Sequence, residues 1–297
     1  MYKFRQLALI GSTASGKTSL GIKVAHHMNA HILSLDSLSI YKEINIVSAK
    51  PTLAERDNII HFGMDYLYPN ENFDVTTFIQ LYHEVYARCL QEEKNLVIVG
   101  GTSFYLKMLI EGISELPSIS PQTKEKANKY LINLDDTYAW LSSIDYGYMK
   151  NIASKDRYRI EKSLLIYLET GLIPSEYFSK FPPTPTISKP LPIYQIIWDR
   201  VLLRERISLR TKLMLKERLI DEVCTLEKKY GRTPNCMKSI GIKETLAYLD
   251  GIYNRDMLIE KITTNTARLA KRQNTFNNSQ FENVITGSVE KLEELLL

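Results

Sequence analysis

The chain has 297 residues, 44% hydrophobic and 24% charged, with a formal net charge of +4. This length suggests about two domains, and the composition excludes a disordered or collagen-like chain while leaving a nucleic-acid partner neither required nor ruled out. Three dispersed cysteines without a CxxC pair (Cys89, Cys224, Cys236) exclude a disulfide framework and a zinc site and fit a reducing, cytoplasmic setting.

The first apolar run, Leu7–Ile10, reads as a buried strand. It stops at Gly11, too short for a signal peptide, and no stretch approaches the roughly 18 apolar residues of a membrane span, so neither export nor a membrane partner is expected. Gly11-Ser12-Thr13-Ala14-Ser15-Gly16-Lys17-Thr18 then matches G-x-x-x-x-G-K-[ST] between that strand and an amphipathic helix. Gly11 and Gly16 permit a tight turn whose backbone N–H groups, with Thr13, Ala14 and Ser15, converge on one anion at a helix N-terminus. Lys17 supplies a point charge, and the Thr18 hydroxyl a ligand for Mg²⁺. Loops of this kind serve nucleotide-binding and ATP-binding proteins, yet what they recognise is a diphosphate, not a base.

His31–Leu35 is the second strand and ends at Asp36, where ligands of parallel sheets bind. Asp36 suits a Mg²⁺ ligand or a general base; Asp36 and Ser37 also suit the N-cap of a following helix. The strand Leu96–Val99 ends in Gly100-Gly101-Thr102, without the acid an ATPase usually carries there, and the guanine signature N-K-x-D is missing. Residues 118–189 change character. Helical patterns at Thr123–Tyr130, Thr137–Asp145 and Asp156–Thr170 precede a stiff connector, "FPPTPTISKPLP". We read a small all-helical insertion in an α/β core of residues 1–117 and 190–297, a P-loop parallel sheet flanked by helices. Ile193–Trp198 is a later strand of that sheet. A long helix is expected from Arg200 to Lys229, stopped by Gly231 and Pro234, and another over Asp256–Asn277. Arg206 and Arg210 share a helix face. Seven basic residues against two acids in Arg200–Arg218, and four against none in Lys261–Gln280, form stripes suited to a phosphate backbone or to solvent.

Together "GSTASGKT", "DSLSIYKEINIVSAKP", "VGGTSFYLKMLIEGISELP", "RERISLRTKLML", "SIGIKETLAYLDG" and "TARLAKRQNTF" resemble the tRNA dimethylallyltransferases of bacterial type, in order along nearly the whole chain. The resemblance implies transfer of a dimethylallyl group from dimethylallyl diphosphate to the exocyclic amine of the adenosine 3′ of the anticodon. The loop would then hold the donor's pyrophosphate with Mg²⁺, Asp36 would be the general base, and Thr102 would line the reaction channel. It also places the pyrophosphate-binding arginine at Arg210. Contacts to the tRNA anticodon stem-loop fall by resemblance on Asp36, Ser37, Leu38, Ser39, Thr102, Tyr158, Arg159, Lys162, Lys271, Arg272 and Gln273. Departures from the family pattern are Ser12 for proline, Ser39 for glutamine, Val47 for glycine, Phe62 for histidine, and Tyr158 and Lys162 for glutamine and arginine. The zinc finger of eukaryotic relatives is not represented by the three cysteines. A monomer suffices for a channel within one chain. Two other readings stay open: a small-molecule kinase using the loop for ATP, and a nucleotide-gated RNA-binding module.

Overall fold

The computed structural model describes residues 2–297. In chain order it begins with β1 (Gln6–Gly11), α1 (Lys17–His27), β2 (Ala30–Leu35), β3 (His61–Phe62), α2 (Val75–Gln91), β4 (Asn95–Gly100) and α3 (Ser103–Glu111). Five helices follow: α4 (Pro121–Tyr130), α5 (Leu134–Ile144), α6 (Tyr146–Met149), α7 (Arg157–Thr170) and α8 (Pro174–Lys180). The chain then forms β5 (Ile193–Ile196), α9 (Arg200–Lys216), α10 (Leu219–Tyr230) and α11 (Ile242–Leu249), and finally α12 (Arg255–Gln280), β6 (Ile285–Gly287) and α13 (Val289–Leu296).

The strands form one sheet in the order β3-β2-β4-β1-β5-β6, with every pair parallel. Parallel strands covered on both faces are apolar at consecutive positions. Here Ala8, Ile10, Leu33, Leu35, Leu96 and Ile98 enter one core, with residues of α2, α3 and α10 to α12. Leu7, Leu9, Ile32, Val97 and Val99 enter the other, with Leu20 and Val24 of α1 and Leu292 of α13. The register matters for function: Ile10 pairs with Gly100, Leu35 with Gly100, and Gly11 with Ile196. Four loops therefore leave adjacent strands at one level: the phosphate loop, the Asp36 turn, the Gly101–Thr102 turn and the segment leading to Trp198.

One expected element is corrected. The helix expected over Arg200–Lys229 is broken at Glu217-Arg218, where Arg218 has φ 72°. Its buried residues Leu203, Ile207, Thr211, Leu215, Leu219 and Val223 recur every fourth position. At 3.6 residues per turn such a stripe drifts about 40° per step. Over the five steps it would circle half the helix, so one straight helix cannot keep it against the core. The break resets the face. The two- and three-residue strands β3 and β6 also escaped the sequence, being shorter than a readable apolar run.

The chain divides into two compact units, one running to Ile110 and resuming over Ile187–Leu297, the other Glu111–Thr186. The second unit packs α4, α5 and α7 around Leu141, Met149, Ile160 and Leu164. It begins at 111, earlier than the expected 118, because its two connecting segments already meet at Ile113, which bridges Thr184 in antiparallel fashion.

Candidate active site

The phosphate loop joins β1 to α1. Gly11 has φ 153°, and a Cβ there would lie 2.9 Å from the Ile196 carbonyl oxygen, so the chain turns where no side chain fits. The Lys17 ammonium folds back over the loop, donating to the Ser12 carbonyl at 2.5 Å. Three groups from the β5–α9 region hold the loop from outside. Trp198 Nε1 donates to the Ser15 carbonyl at 2.9 Å, and Arg206 Nε to the Ala14 carbonyl at 2.8 Å. The Arg206 guanidinium also lies 4.4 Å from the centre of the Trp198 ring, a cation–π contact. Arg210 Nη1 reaches the Thr13 hydroxyl at 3.5 Å. Both arginines picked out by their spacing thus face the loop.

These cations are short of negative partners. Burial first and the nearby Arg210 guanidinium second push the Lys17 ammonium down to about 7, with Asp36 acting in the opposite sense. Burial likewise lowers Arg210, again opposed by Asp36. Enclosed cations of like sign around backbone donors favour an incoming anion, which would restore the charge each prefers.

Asp36 leaves the end of β2. Its Oδ1 accepts from the N–H groups of Leu38 (2.8 Å) and Ser39 (3.1 Å). The next residues form a turn and not a helix, so the alternative reading of Asp36 and Ser37 as a helix N-cap gives way to a side-chain-closed turn. Oδ2 takes no hydrogen bond among the described residues. The Ser37 N–H donates to Thr102 Oγ1 at 3.2 Å, while the N–H groups of Gly101 and Thr102 both donate to the Leu35 carbonyl. The Asp36 turn and the Thr102 turn are therefore one hydrogen-bonded unit.

Two cavities meet here. The larger, about 910 Å³, is lined by the loop from Thr13 to Thr18 with Lys50, Arg206 and Arg210. The smaller, about 420 Å³, is mostly apolar, lined by Phe104, Ile207, Met214, Ile262, Leu269 and Phe276. Thr13, Asp36, Gly101, Arg210 and Gln273 line both. A chamber in which Lys17, Arg206 and Arg210 gather at the phosphate loop thus opens onto an apolar one beside the Asp36 carboxylate.

The residues assigned to RNA by resemblance divide. Lys271 and Arg272 are exposed on α12, whereas the neighbouring Gln273 points inward. Leu38 is half-buried; Ser39 is buried, its hydroxyl 3.0 Å from that of Ser34. In the second unit Tyr158, Arg159 and Lys162 lie exposed on the first turns of α7, Lys162 Nζ standing 5.7 Å from the centre of the Tyr158 ring.

Sequence reading missed three contributors. Trp198 ends the expected strand Ile193–Trp198, where site residues of parallel sheets gather, and that position was the available signal. Lys50 is enclosed, donating to the Tyr41 carbonyl, to Asn45 Oδ1 at 3.2 Å and to Asp65 Oδ1 at 2.7 Å. Glu222 accepts from the successive N–H groups of Asn45, Ile46 and Val47 at 2.8–3.0 Å, fixing the segment that walls both cavities. Lys50 lies in the stretch "DSLSIYKEINIVSAKP" that carries the resemblance, whereas Glu222 has no local motif.

Comparison with known proteins agrees with this geometry. A family model described as IPP transferase matches residues 39–280. A tRNA dimethylallyltransferase of Sulfurovum sp. (strain NBC37-1) is 67% identical, covering 99% of this chain and 97% of that protein. One of Sulfurimonas denitrificans is 55% identical, covering 98% of each. Among solved structures, the full-length tRNA isopentenylpyrophosphate transferase of Bacillus halodurans superposes with a TM-score of 0.72 at 26% identity, over 99% of this chain and 95% of that one. A eukaryotic dimethylallyltransferase acting on tRNA gives 0.81 at 25% identity, over 92% of this chain and 69% of that one. On a family match spanning most of its length and on near-complete alignment with these relatives, the chain belongs to the IPP transferase family.

Proposed function

We propose that this chain transfers the dimethylallyl group of dimethylallyl diphosphate to the N6 amine of the adenosine 3′ of the anticodon in tRNA, releasing diphosphate. The observation that carries the reading is the placing of Asp36 where the cationic and apolar cavities join, beside Arg210. The names of the close relatives support the same substrate and reaction. The loop amides, Lys17, Arg206 and Arg210 bind the diphosphate and stabilise the charge that builds on it as the C–O bond breaks. Adenine's amine is a weak nucleophile, since its lone pair is delocalised into the ring. Asp36 accepts its proton as the new C–N bond forms, and the turn that grips Oδ1 holds Oδ2 ready to do so. Thr102 lines the apolar chamber, next to Gly101, which borders both.

A Mg²⁺ ion fits this site as one carried by the phosphates. No group of three or more His, Cys, Asp or Glu able to hold a metal occurs among the described residues, and Mg²⁺ commonly needs only one or two protein oxygens beside phosphates and water. The exposed Thr18 hydroxyl at the start of α1 lines the cavity and would hold it. Bound there, the ion neutralises part of the diphosphate charge.

The acceptor base must leave its stack to reach Asp36, so the anticodon loop is read with that base flipped. Lys271 and Arg272 contact the phosphate backbone, the Asp36–Ser39 turn lies nearest the base, and Tyr158, Arg159 and Lys162 engage the stem-loop from the helical unit. Both cavities are lined by residues of this one chain, so a single copy suffices for the reaction. No helix among the described residues is long and apolar enough to cross a membrane, and the free thiols Cys89 and Cys236 suit the cytoplasm.

Incubation with Mg²⁺, labelled dimethylallyl diphosphate and an adenosine-containing anticodon stem-loop should move label onto the RNA. RNA binding without transfer, or ATP-dependent phosphorylation of a small molecule in its place, would overturn the proposal.

A further inference from the structure

The side-chain amide of Gln273 lies between the two loops that the proposed reaction must align. Its Oε1 accepts from the Thr13 N–H at 2.9 Å, and its Nε2 donates to the Gly101 carbonyl at 3.0 Å. The orientation of the amide is settled by its partners, because a backbone N–H can only donate and a carbonyl can only accept. Both ends are therefore committed, one to the diphosphate loop after β1 and the other to the turn after β4. Glycine at 101 is what admits the amide: a Cβ there would meet Nε2 at 2.5 Å. The bridge continues. Gly101 and Thr102 donate to the Leu35 carbonyl, and Ser37 donates to Thr102 Oγ1. A single hydrogen-bonded path runs from Thr13 through Gln273 and Gly101 to the turn carrying Asp36.

The geometry points to Gln273 as a positioning residue that sets the diphosphate loop at a fixed distance from the Asp36 turn, and not as a contact to RNA. This rests on the proposed transfer reaction. In such a reaction the leaving group, the allylic carbon and the amine must lie in line, and the loop holds one end of that line while Asp36 serves the other. A displacement of about 1 Å between reacting groups costs on the order of 10²-fold in rate. Lys271 and Arg272, two and one residues earlier on α12, are exposed and remain available to RNA, Arg272 also lining the apolar cavity. The helix thus carries two tasks in three consecutive residues.

The test uses the full-length chain and two near-isosteric variants. Gln273→Met removes both hydrogen bonds; Gln273→Glu keeps the acceptor for Thr13, loses the donor to Gly101 and adds negative charge beside the anion chamber. Single-turnover transfer at saturating dimethylallyl diphosphate and stem-loop, stem-loop affinity, inorganic pyrophosphate affinity and thermal melting are measured for each. Gln273→Met should lower the saturated rate about 10²-fold, with both affinities within about threefold of the unchanged chain, as expected when only transition-state alignment is lost. Gln273→Glu should weaken pyrophosphate binding at least about tenfold, as like charge disfavours the anion. The assignment is overturned if Gln273→Met keeps its saturated rate and loses stem-loop affinity, the mark of an RNA contact. Rate, both affinities and melting temperature falling together would reduce the residue to a structural strut and equally overturn it, as would unchanged pyrophosphate binding by Gln273→Glu. If the unsubstituted chain itself transfers no label, the proposed function fails and this role fails with it.

Discussion

Replacing Asp36 by asparagine separates the two tasks that the structure gives this side chain. Asparagine keeps an Oδ1 acceptor, so the bonds from Leu38 (2.8 Å) and Ser39 (3.1 Å) and the turn they close should survive. What disappears is the charge on the group and its capacity to take a proton. General-base assistance is typically worth 10²–10⁴ in rate, or about 2.7–5.4 kcal/mol at 1.36 kcal/mol per decade. The single-turnover transfer rate at saturating donor and stem-loop should fall by that factor. Pyrophosphate affinity should hold or improve, because Asp36 favours the charged forms of Lys17 and Arg210 only by standing near them as an anion that competes with the ligand. Asp36→Ala should lose in addition the two turn-closing bonds, each worth about 1 kcal/mol, and melt lower. The comparison is read by calorimetric titration of pyrophosphate, quenched-flow transfer and thermal melting. A rate loss below tenfold for Asp36→Asn, or a loss of pyrophosphate affinity matching the loss of rate, would refute the general-base assignment and make Asp36 a metal ligand or a turn residue.

Lys17 makes a pH-dependent claim. Its folded-state value of about 7 lies below the ordinary 10.5, so the unfolded chain binds more protons between those values. The cost of enclosing the ammonium is therefore full below pH 7 and fades as pH rises toward 10.5. Lys17→Met should raise the melting temperature of the ligand-free chain at pH 6, by about 2–4 °C per kcal/mol relieved, and by less at pH 9; equal or lower melting at pH 6 would count against it. Glu222→Ala leaves three backbone N–H groups of residues 45–47 without their carboxylate. We expect a loss of about 2 kcal/mol in denaturant unfolding, with a smaller loss for Glu222→Gln, and a change within 0.5 kcal/mol would show that solvent replaces the contact. Trp198→Phe keeps an aromatic ring, though a smaller one, but removes the donor to Ser15 and weakens the Arg206 stack. Pyrophosphate binding should weaken about 3–10-fold, roughly one hydrogen bond, with melting nearly unchanged; unaltered binding would mean that the loop is stiff without it.

The parts of this protein legible in its sequence are those whose cause is local. A glycine-framed loop ending in Lys17-Thr18 needs only its own backbone to gather N–H groups, and apolar runs such as Leu96–Val99 declare a strand buried on both faces. Ordered motifs along nearly the whole chain were enough to place it beside its relatives. What the sequence could not disclose depends on where a face comes to rest. The fourfold stripe from Leu203 to Val223 reads as one helix until the core demands that it stay on one side. Lys271, Arg272 and Gln273 are consecutive polar residues with the same helical propensity, and only packing commits Gln273 to two backbone partners while the two basic residues stay exposed. Asp36 and Thr102 lie 66 positions apart, Arg210 nearly 200 from the loop it faces, and each pairing is a product of strand order and register. Chain connectivity fixes neighbours one turn away; burial of the two cores fixes the rest, because no residue can choose its distant partner until apolar surface has decided which loops share a sheet edge.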